Sequence, residues 1–206
     1  MQKSSPELTE ARRNEIIEAC QKLYETKSFR EITIKDIGAV TSFTRTSIYN
    51  YFETKEEIFL AMHQQEYELW CEALQHIMDD NKRMSKEQFA EALAKSLENR
   101  DLLLKLMSMN HYDMEGNSRP EMLYAFKVAY GQSLKMVEAC LRKFFPKFSD
   151  ERIHEFIYVF FPFMFGIYPY TKVTEKQKEA MKQAGIQFDY QTIYSISKRC
   201  ILALLV

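Results

Sequence analysis

The stretch Thr33-Ile34-Lys35-Asp36-Ile37-Gly38-Ala39-Val40-Thr41-Ser42-Phe43-Thr44-Arg45-Thr46-Ser47-Ile48-Tyr49-Asn50-Tyr51-Phe52 decides how the chain is read. Thr33 with Asp36 three residues on is a variant of the capping box, and Ile34, Ile37 and Val40 form the apolar side of a short helix. Thr41-Ser42 breaks the pattern and Phe43 offers one buried side chain. Thr44 then caps another helix, expected to run through Ile48, Tyr49, Tyr51 and Phe52. Ile34, Ile37, Phe43, Ile48 and Phe52 can clamp the pair from inside, leaving Arg45, Thr46, Ser47, Tyr49, Asn50 and Tyr51 facing outward. That outer surface is rich in hydroxyls and amide, groups that bond phosphate oxygens and base edges, where an ordinary solvated face carries Glu and Lys.

Working outward, Ser5-Pro6-Glu7 has the marks of a helix start: a capping hydroxyl, Pro at the first helical position and an acid at the positive end of the dipole. Ile16, Cys20, Leu23 and Tyr24 recur at steps of three and four, so an amphipathic helix ends near Lys27-Ser28. Three helices with a tight turn between the last two make the plan of a helix-turn-helix, whose third helix enters the DNA major groove. Downstream, Thr54 with Glu57 forms a capping box for a long helix to about Met78. Further helices are expected from Ser85 to Leu97, Arg100 to Tyr112, Pro120 to Phe145, Ser149 through Ile167, Thr174 to Ala184 and Tyr190 to Leu205. Gly116-Asn117-Ser118-Arg119-Pro120 is the clearest loop. The expected fold class is therefore all-α, with a helix-turn-helix domain over 1–55 and a larger helical domain over 56–206.

Composition agrees. The 206 residues include only five Gly and five Pro, with 46% hydrophobic and 28% charged residues, which suits a helix-rich folded chain better than a turn-rich β fold. Net charge is -1, and the first 60 residues are no more basic, with nine Lys/Arg against ten Asp/Glu. Affinity for nucleic acid must therefore come from local placement of cations. Cys20, Cys71, Cys140 and Cys200 are far apart and read as small buried hydrophobes in a reduced, cytoplasmic protein. No two His have the i, i+4 spacing of a helical metal site, so neither metal nor cofactor is expected. The start of the chain lacks an apolar signal region, and the run Phe156 to Tyr170 is shorter than the ~20 residues of a membrane span. GxSxG, P-loop, GxGxxG and HExxH signatures are absent, so an enzyme is disfavoured.

In Thr33-Ile34-Lys35-Asp36-Ile37, in Thr44-Arg45-Thr46-Ser47-Ile48-Tyr49-Asn50-Tyr51-Phe52 and in Lys55-Glu56-Glu57-Ile58, the sequence resembles the tetracycline-repressor family. The resemblance covers about the first 60 residues and is specific in order and spacing. It implies that Thr33 and Thr44 bind phosphate at helix N-termini, that Tyr49, Tyr51 and Lys55 touch the backbone, and that Arg45, Thr46 and Asn50 face bases. Ser28, Ser42 and Thr46 stand where that family usually has Gly, and Gly38 where it has a small apolar residue such as Ala. Ser at a left-handed turn position is strained by about 1 kcal/mol, so either the turns differ or the strain is tolerated.

The resemblance further implies a two-fold homodimer on a palindromic or pseudo-palindromic double-stranded DNA operator. One chain has more apolar faces than it can cover, so Phe156, Phe160, Phe163 and Ile167 with Ile193, Ile196, Cys200, Ile201 and Leu204 are the expected dimer interface. Trp70, Met107, His111, Tyr112, Met122, Phe126, Tyr130, Phe161 and Phe165 are the expected lining for a small, largely apolar or aromatic effector whose binding releases a repressor from DNA. The competing reading keeps the DNA-binding head but makes the C-terminal part a dock for a protein partner.

Overall fold

The computed structural model describes residues 5–109 and 111–206, the side chains of 111–113 excepted. Eleven helices occur among the described residues: α1 Pro6–Thr26, α2 Ile34–Ala39, α3 Arg45–Ile48, α4 Lys55–Asp80, α5 Lys86–Glu98, α6 Asp101–Met107, α7 His111–Gly116, α8 Pro120–Phe144, α9 Asp150–Thr171, α10 Glu175–Gln183 and α11 Ile193–Leu204. There is no strand among them.

Local chemistry sets the ends. The Ser5, Thr33, Thr44, Ser85, Ser149, Thr174 and Thr192 side chains each accept the backbone N–H three residues on, satisfying a donor that the first helical turn leaves unpaired. At Thr33, Ser85 and Thr174 the third helical residue answers with its own side chain, completing a capping box. Gly185 closes the α10 segment in the left-handed conformation, φ 68°, which costs a glycine nothing.

Some expected elements differ in their bounds. The segment expected as one helix from Arg100 to Tyr112 is divided into α6 and α7. α9 runs through Pro162 to Thr171 instead of ending near Ile167. Pro162 cannot bond the Tyr158 carbonyl, but both residues are exposed, so the freed carbonyl lies on a face outside the core. The opposite face, with Ile153, Phe156, Phe160, Phe161, Met164 and Ile167, is buried and holds the helix in place.

The chain forms two compact units, one comprising the described residues up to Gln65 with 111–128, the other Glu66–Met109 with Ala129–Val206. The first therefore takes in residues 56–65 and 111–128 as well as the described part, 5–55, of the segment that the sequence sets apart. Its core includes Ile16, Cys20, Ile37, Ile48, Phe52, Ile58 and Phe59, all fully buried. The Phe59 ring receives Tyr24 at 5.0 Å and Phe29 at 4.8 Å, both edge-on. In the second unit α11 packs on α5 and α9, and α6 packs on α9.

Candidate nucleic-acid interface

α2 and α3 pack on each other and α2 packs on α1. The turn between α2 and α3 is tied to α1 by the Glu15 carboxylate, which accepts the Ser42 N–H at 2.6 Å. That N–H, and then the Ser42 hydroxyl, hold the Glu15 carboxyl below its ordinary range. Neither Ser28 nor Ser42 has a positive φ, so neither turn carries left-handed strain. Ser28 uses its N–H and hydroxyl to donate to Glu31 at 2.8 and 2.7 Å, a local link that glycine could not complete.

α3 is shorter than expected. It ends at Ile48 and passes into a turn in which Asn50 N–H bonds the Ser47 carbonyl and Tyr51 N–H bonds the Ile48 carbonyl. Ile48 and Phe52 are fully buried behind it, while Thr44, Arg45, Thr46, Tyr49 and Asn50 are exposed and Ser47 and Tyr51 are half-buried. Arg45 donates to the Tyr49 hydroxyl at 3.3 Å and lies 5.9 Å from that ring's centre, so the tyrosine props the guanidinium outward from the helix. Thr33, Lys35, Arg45, Tyr49 and Lys55 line one open hollow of about 520 Å³.

Beyond the Arg45–Tyr49 and Thr44–Ser47 bonds, the expected contact residues Thr33, Lys55 and Tyr51 have partners outside α3. The Thr33 hydroxyl lies 2.5 Å from an Asp36 carboxylate oxygen, so an acid stands at that N-terminus, where a phosphate was expected. The Thr33 hydroxyl and N–H, then Lys27, hold the Asp36 carboxyl below its ordinary range. Lys55 donates to the Phe29 carbonyl at 2.7 Å and the Ile32 carbonyl at 3.1 Å, and its ammonium sits 4.3 Å from the Phe29 ring centre. Two of its three N–H donors therefore hold the α1–α2 connection. The Tyr51 hydroxyl accepts from Arg12 at 3.4 Å. Lys35, which lines the hollow, and Arg12, which bonds Tyr51, are not among the expected contact residues. The signal for both was only their cation, in a stretch without net positive charge.

The carboxylate of Glu57, expected only as the second half of the Thr54 capping box, is also bonded from a distant part of the chain. It is fully buried and accepts from Arg119 Nε at 2.7 Å, Arg119 Nη2 at 2.8 Å, the Arg119 N–H at 3.0 Å and the Glu53 N–H at 2.8 Å. Burial pushes this carboxyl up, but the bonds from Arg119 and Glu53 outweigh it and hold the group below its ordinary value. Sequence gave no sign of the pair, because 62 residues separate its members.

In the second unit Trp70 and Met107 are fully buried, Phe161 nearly so, and Tyr130 and Phe165 half-buried. Trp70 and Phe161 rings meet at 5.9 Å, Phe161 and Tyr130 at 5.8 Å, and Tyr130 and Tyr67 at 5.7 Å. The indole N–H donates to Ser96 at 3.0 Å. Met122 and Phe126 are buried in the first unit, and the side chains of His111 and Tyr112 lie outside the described residues. Two hollows in the second unit, one including Gln88, Lys95 and Tyr194 and the other Tyr170, Met181 and Phe188, contain none of the expected effector residues.

The residues expected at the dimer face divide by burial. Phe156, Phe160, Ile167, Ile193 and Ile201 are buried within the chain itself, because α9 and α11 cover each other and α11 lies on α5. They need no second chain to exclude water. Phe163, Ile196, Cys200 and Leu204 remain half-buried, and the uncovered side of α9 presents Tyr158, Val159 and Tyr170.

A short helix carrying exposed polar groups, clamped by a second helix and braced by α1, defines a helix-turn-helix DNA-binding head. Residues 16–62 match the family model for bacterial regulatory proteins of the tetR family, and residues 64–194 match the tetracyclin repressor-like C-terminal domain. The chain belongs to the TetR family of DNA-binding transcriptional regulators. No curated protein matches it in sequence. Among solved structures it is similar to a TetR/AcrR-family transcriptional regulator from Thermobifida fusca, at TM-score 0.60 and 16% identity over 95% of this chain and 97% of that one. The fatty acid degradation regulator FadR from Bacillus halodurans superposes at TM-score 0.59 and 14% identity, over 93% and 97% of the two chains. FadR from Thermus thermophilus, a TetR-family repressor solved with lauroyl-CoA, does so at TM-score 0.57 and 16% identity, over 94% and 93%. At these identities the likeness is one of fold. Among the described residues no helix is long and apolar enough to cross a membrane.

Proposed function

We propose that the protein is a repressor that binds a palindromic or pseudo-palindromic operator as a homodimer and is released by a small, largely apolar or aromatic effector. The observation that carries the DNA-reading part is the division of α3: Ile48 and Phe52 are fully buried behind it while Arg45, Thr46, Tyr49 and Asn50 stand in solvent. A surface of this kind reads base edges with Arg45, Thr46 and Asn50, and Thr44, Ser47, Tyr49 and Lys35 secure the register on phosphates.

The uncovered Tyr158 and Val159 of α9, with Phe163, Ile196, Cys200 and Leu204, are the surface we assign to the two-fold partner. The aromatic group Trp70, Phe161, Tyr130 and Tyr67 supports an effector with an apolar chain or ring, as does the similarity in fold to a repressor solved with lauroyl-CoA. Effector binding and operator binding oppose each other by the same factor, since linkage is reciprocal. Selection of duplexes from a genomic fragment pool at low salt tests the first part, light scattering the second, and thermal-shift screening of apolar ligands the third. Failure to select any sequence, a monomer at micromolar concentration, or no concentration-dependent stabilisation would overturn the respective parts.

A further inference from the structure

We infer that Arg119 is a positioning residue for the recognition helix, acting as a clamp on the turn that joins α3 to α4. The inference rests on the DNA-reading role proposed above and adds a residue that lies far outside the helix-turn-helix in sequence.

The turn 51–54 is held by the Asn117–Arg119 segment at both of its ends. At one end Arg119 Nη2 donates to the Tyr51 carbonyl at 3.2 Å, the acceptor at the close of the recognition turn. At the other the Thr54 hydroxyl donates to the Asn117 carbonyl at 2.8 Å and caps Glu57 N–H at 3.2 Å. Between them Glu57 accepts the Glu53 N–H, and the same carboxylate grips Arg119 with Nε, Nη2 and the backbone N–H. One guanidinium therefore ties a fully buried carboxylate on α4 to the backbone of the recognition turn. The guanidinium presents its donors in a rigid planar fork that meets the bidentate carboxylate and the carbonyl together; an ammonium has three donors but is a point charge on a flexible stem, without that fixed geometry. Glu53 and Glu121 approach Arg119 at 3.7 and 3.6 Å but are largely exposed, so they add little to the grip.

Arg119 also immediately precedes α8, with its carbonyl accepting the Met122 and Leu123 N–H groups. The start of α8 and the orientation of the recognition turn are thus joined through one side chain. A mere stabilising anchor would resist global unfolding and leave the local freedom of α3 alone. A positioning residue restrains residues 49–52 more than it restrains α1, and this difference can be measured.

The test uses the full chain with Arg119→Lys, which keeps a cation beside Glu57, and the double variant Glu57→Gln/Arg119→Gln, which leaves no buried charge without its partner. Amide exchange in the free protein is the first readout. Exchange at Asn50, Tyr51 and Phe52 is expected to speed by about tenfold while the amides of Ile16 and Cys20 keep their protection. The second readout is binding to a duplex that the parent selects from a random-sequence pool. Affinity for it is expected to fall about tenfold, with binding to a scrambled duplex within about twofold of the parent. Unchanged exchange at residues 50–52 in both variants, or equal acceleration in α1 and α3, would overturn the clamp. A parent that selects no duplex would overturn the DNA-reading role, while the exchange data would still decide the clamp.

Discussion

Glu15 and Ser42 are joined by a hydrogen bond of 2.6 Å from the Ser42 N–H to the Glu15 carboxylate, and this bond fixes the turn of the helix-turn-helix to the first helix. A non-glycine residue serves there because the turn has no left-handed backbone; the bond itself uses an N–H that any residue but proline supplies. Glu15→Ala should lower Tm by a few degrees at most, since the group is solvent-facing, and should raise amide exchange at Ser42 and Phe43 above that of the α1 core. Unchanged exchange at those two residues would show that the bond does not order the turn.

The buried Glu57 makes stability depend on acid. Its folded-state carboxyl is held below the ordinary value of 4.5, so its contribution is complete above that value and is lost as pH falls through the folded value. Tm recorded from pH 7 to pH 3 should fall below about pH 4.5, and Glu57→Gln should flatten that fall without removing it. Glu15, Glu31, Asp36 and Glu87, whose carboxyls are also held down, contribute to the remainder. An identical acid slope in parent and variant would contradict the assignment.

Gly38 lies inside α2 with φ in the ordinary range, and an added Cβ would meet Arg45 N at 3.4 Å and Ile48 Cδ1 at 3.6 Å. These are van der Waals contacts, so Gly38→Ala should stabilise the head by about 0.4–1 kcal/mol through the unfolded chain's lost freedom. Denaturant titration checks this; a loss of stability would mean that α2 and α3 have no room for a methyl group.

Burial pushes the thiols of Cys20 and Cys140 up to about 12 and those of Cys71 and Cys200 up to about 11. At pH 8 the thiolate fraction is then about a thousandth or less, and alkylation of native protein should run at least about a hundredfold slower than after unfolding. A thiol that reacts rapidly in the native state would overturn the reading of all four as packing residues.

How much was legible follows from what each feature depends on. Caps are local, so Ser5, Thr33, Thr44, Ser85, Thr174 and their helices could be read from three-residue spacings. The buried and outward faces of α3 were legible because Ile48 and Phe52 alternate with polar residues at helical spacing. On α9 the same reasoning had nothing to work with. Phe156, Phe160, Phe161, Phe163 and Phe165 lie on several faces, and the packing of α6 and α11 on this helix, with the Trp70 and Tyr130 rings against Phe161, decides which of them the chain covers itself. Lys55 and Arg119 show the other limit. A cation's role is set by whichever acceptor the fold brings near, carbonyls of Phe29 and Ile32 in one case and the Glu57 carboxylate in the other.

Reading of DNA by α3 is tested most directly by measuring binding of the parent and of Arg45→Ala to a duplex the parent selects, and to the same duplex with its bases scrambled, across a salt series. Arg45 is exposed and its only hydrogen bond among the described residues is to Tyr49, so the substitution leaves the core untouched. The parent should prefer the selected duplex, lose affinity steeply with salt, and lose about 1–3 kcal/mol of that preference in Arg45→Ala, most of it at a single base pair. Equal binding of selected and scrambled duplexes by the parent, or an unaltered preference in the variant, would contradict the account.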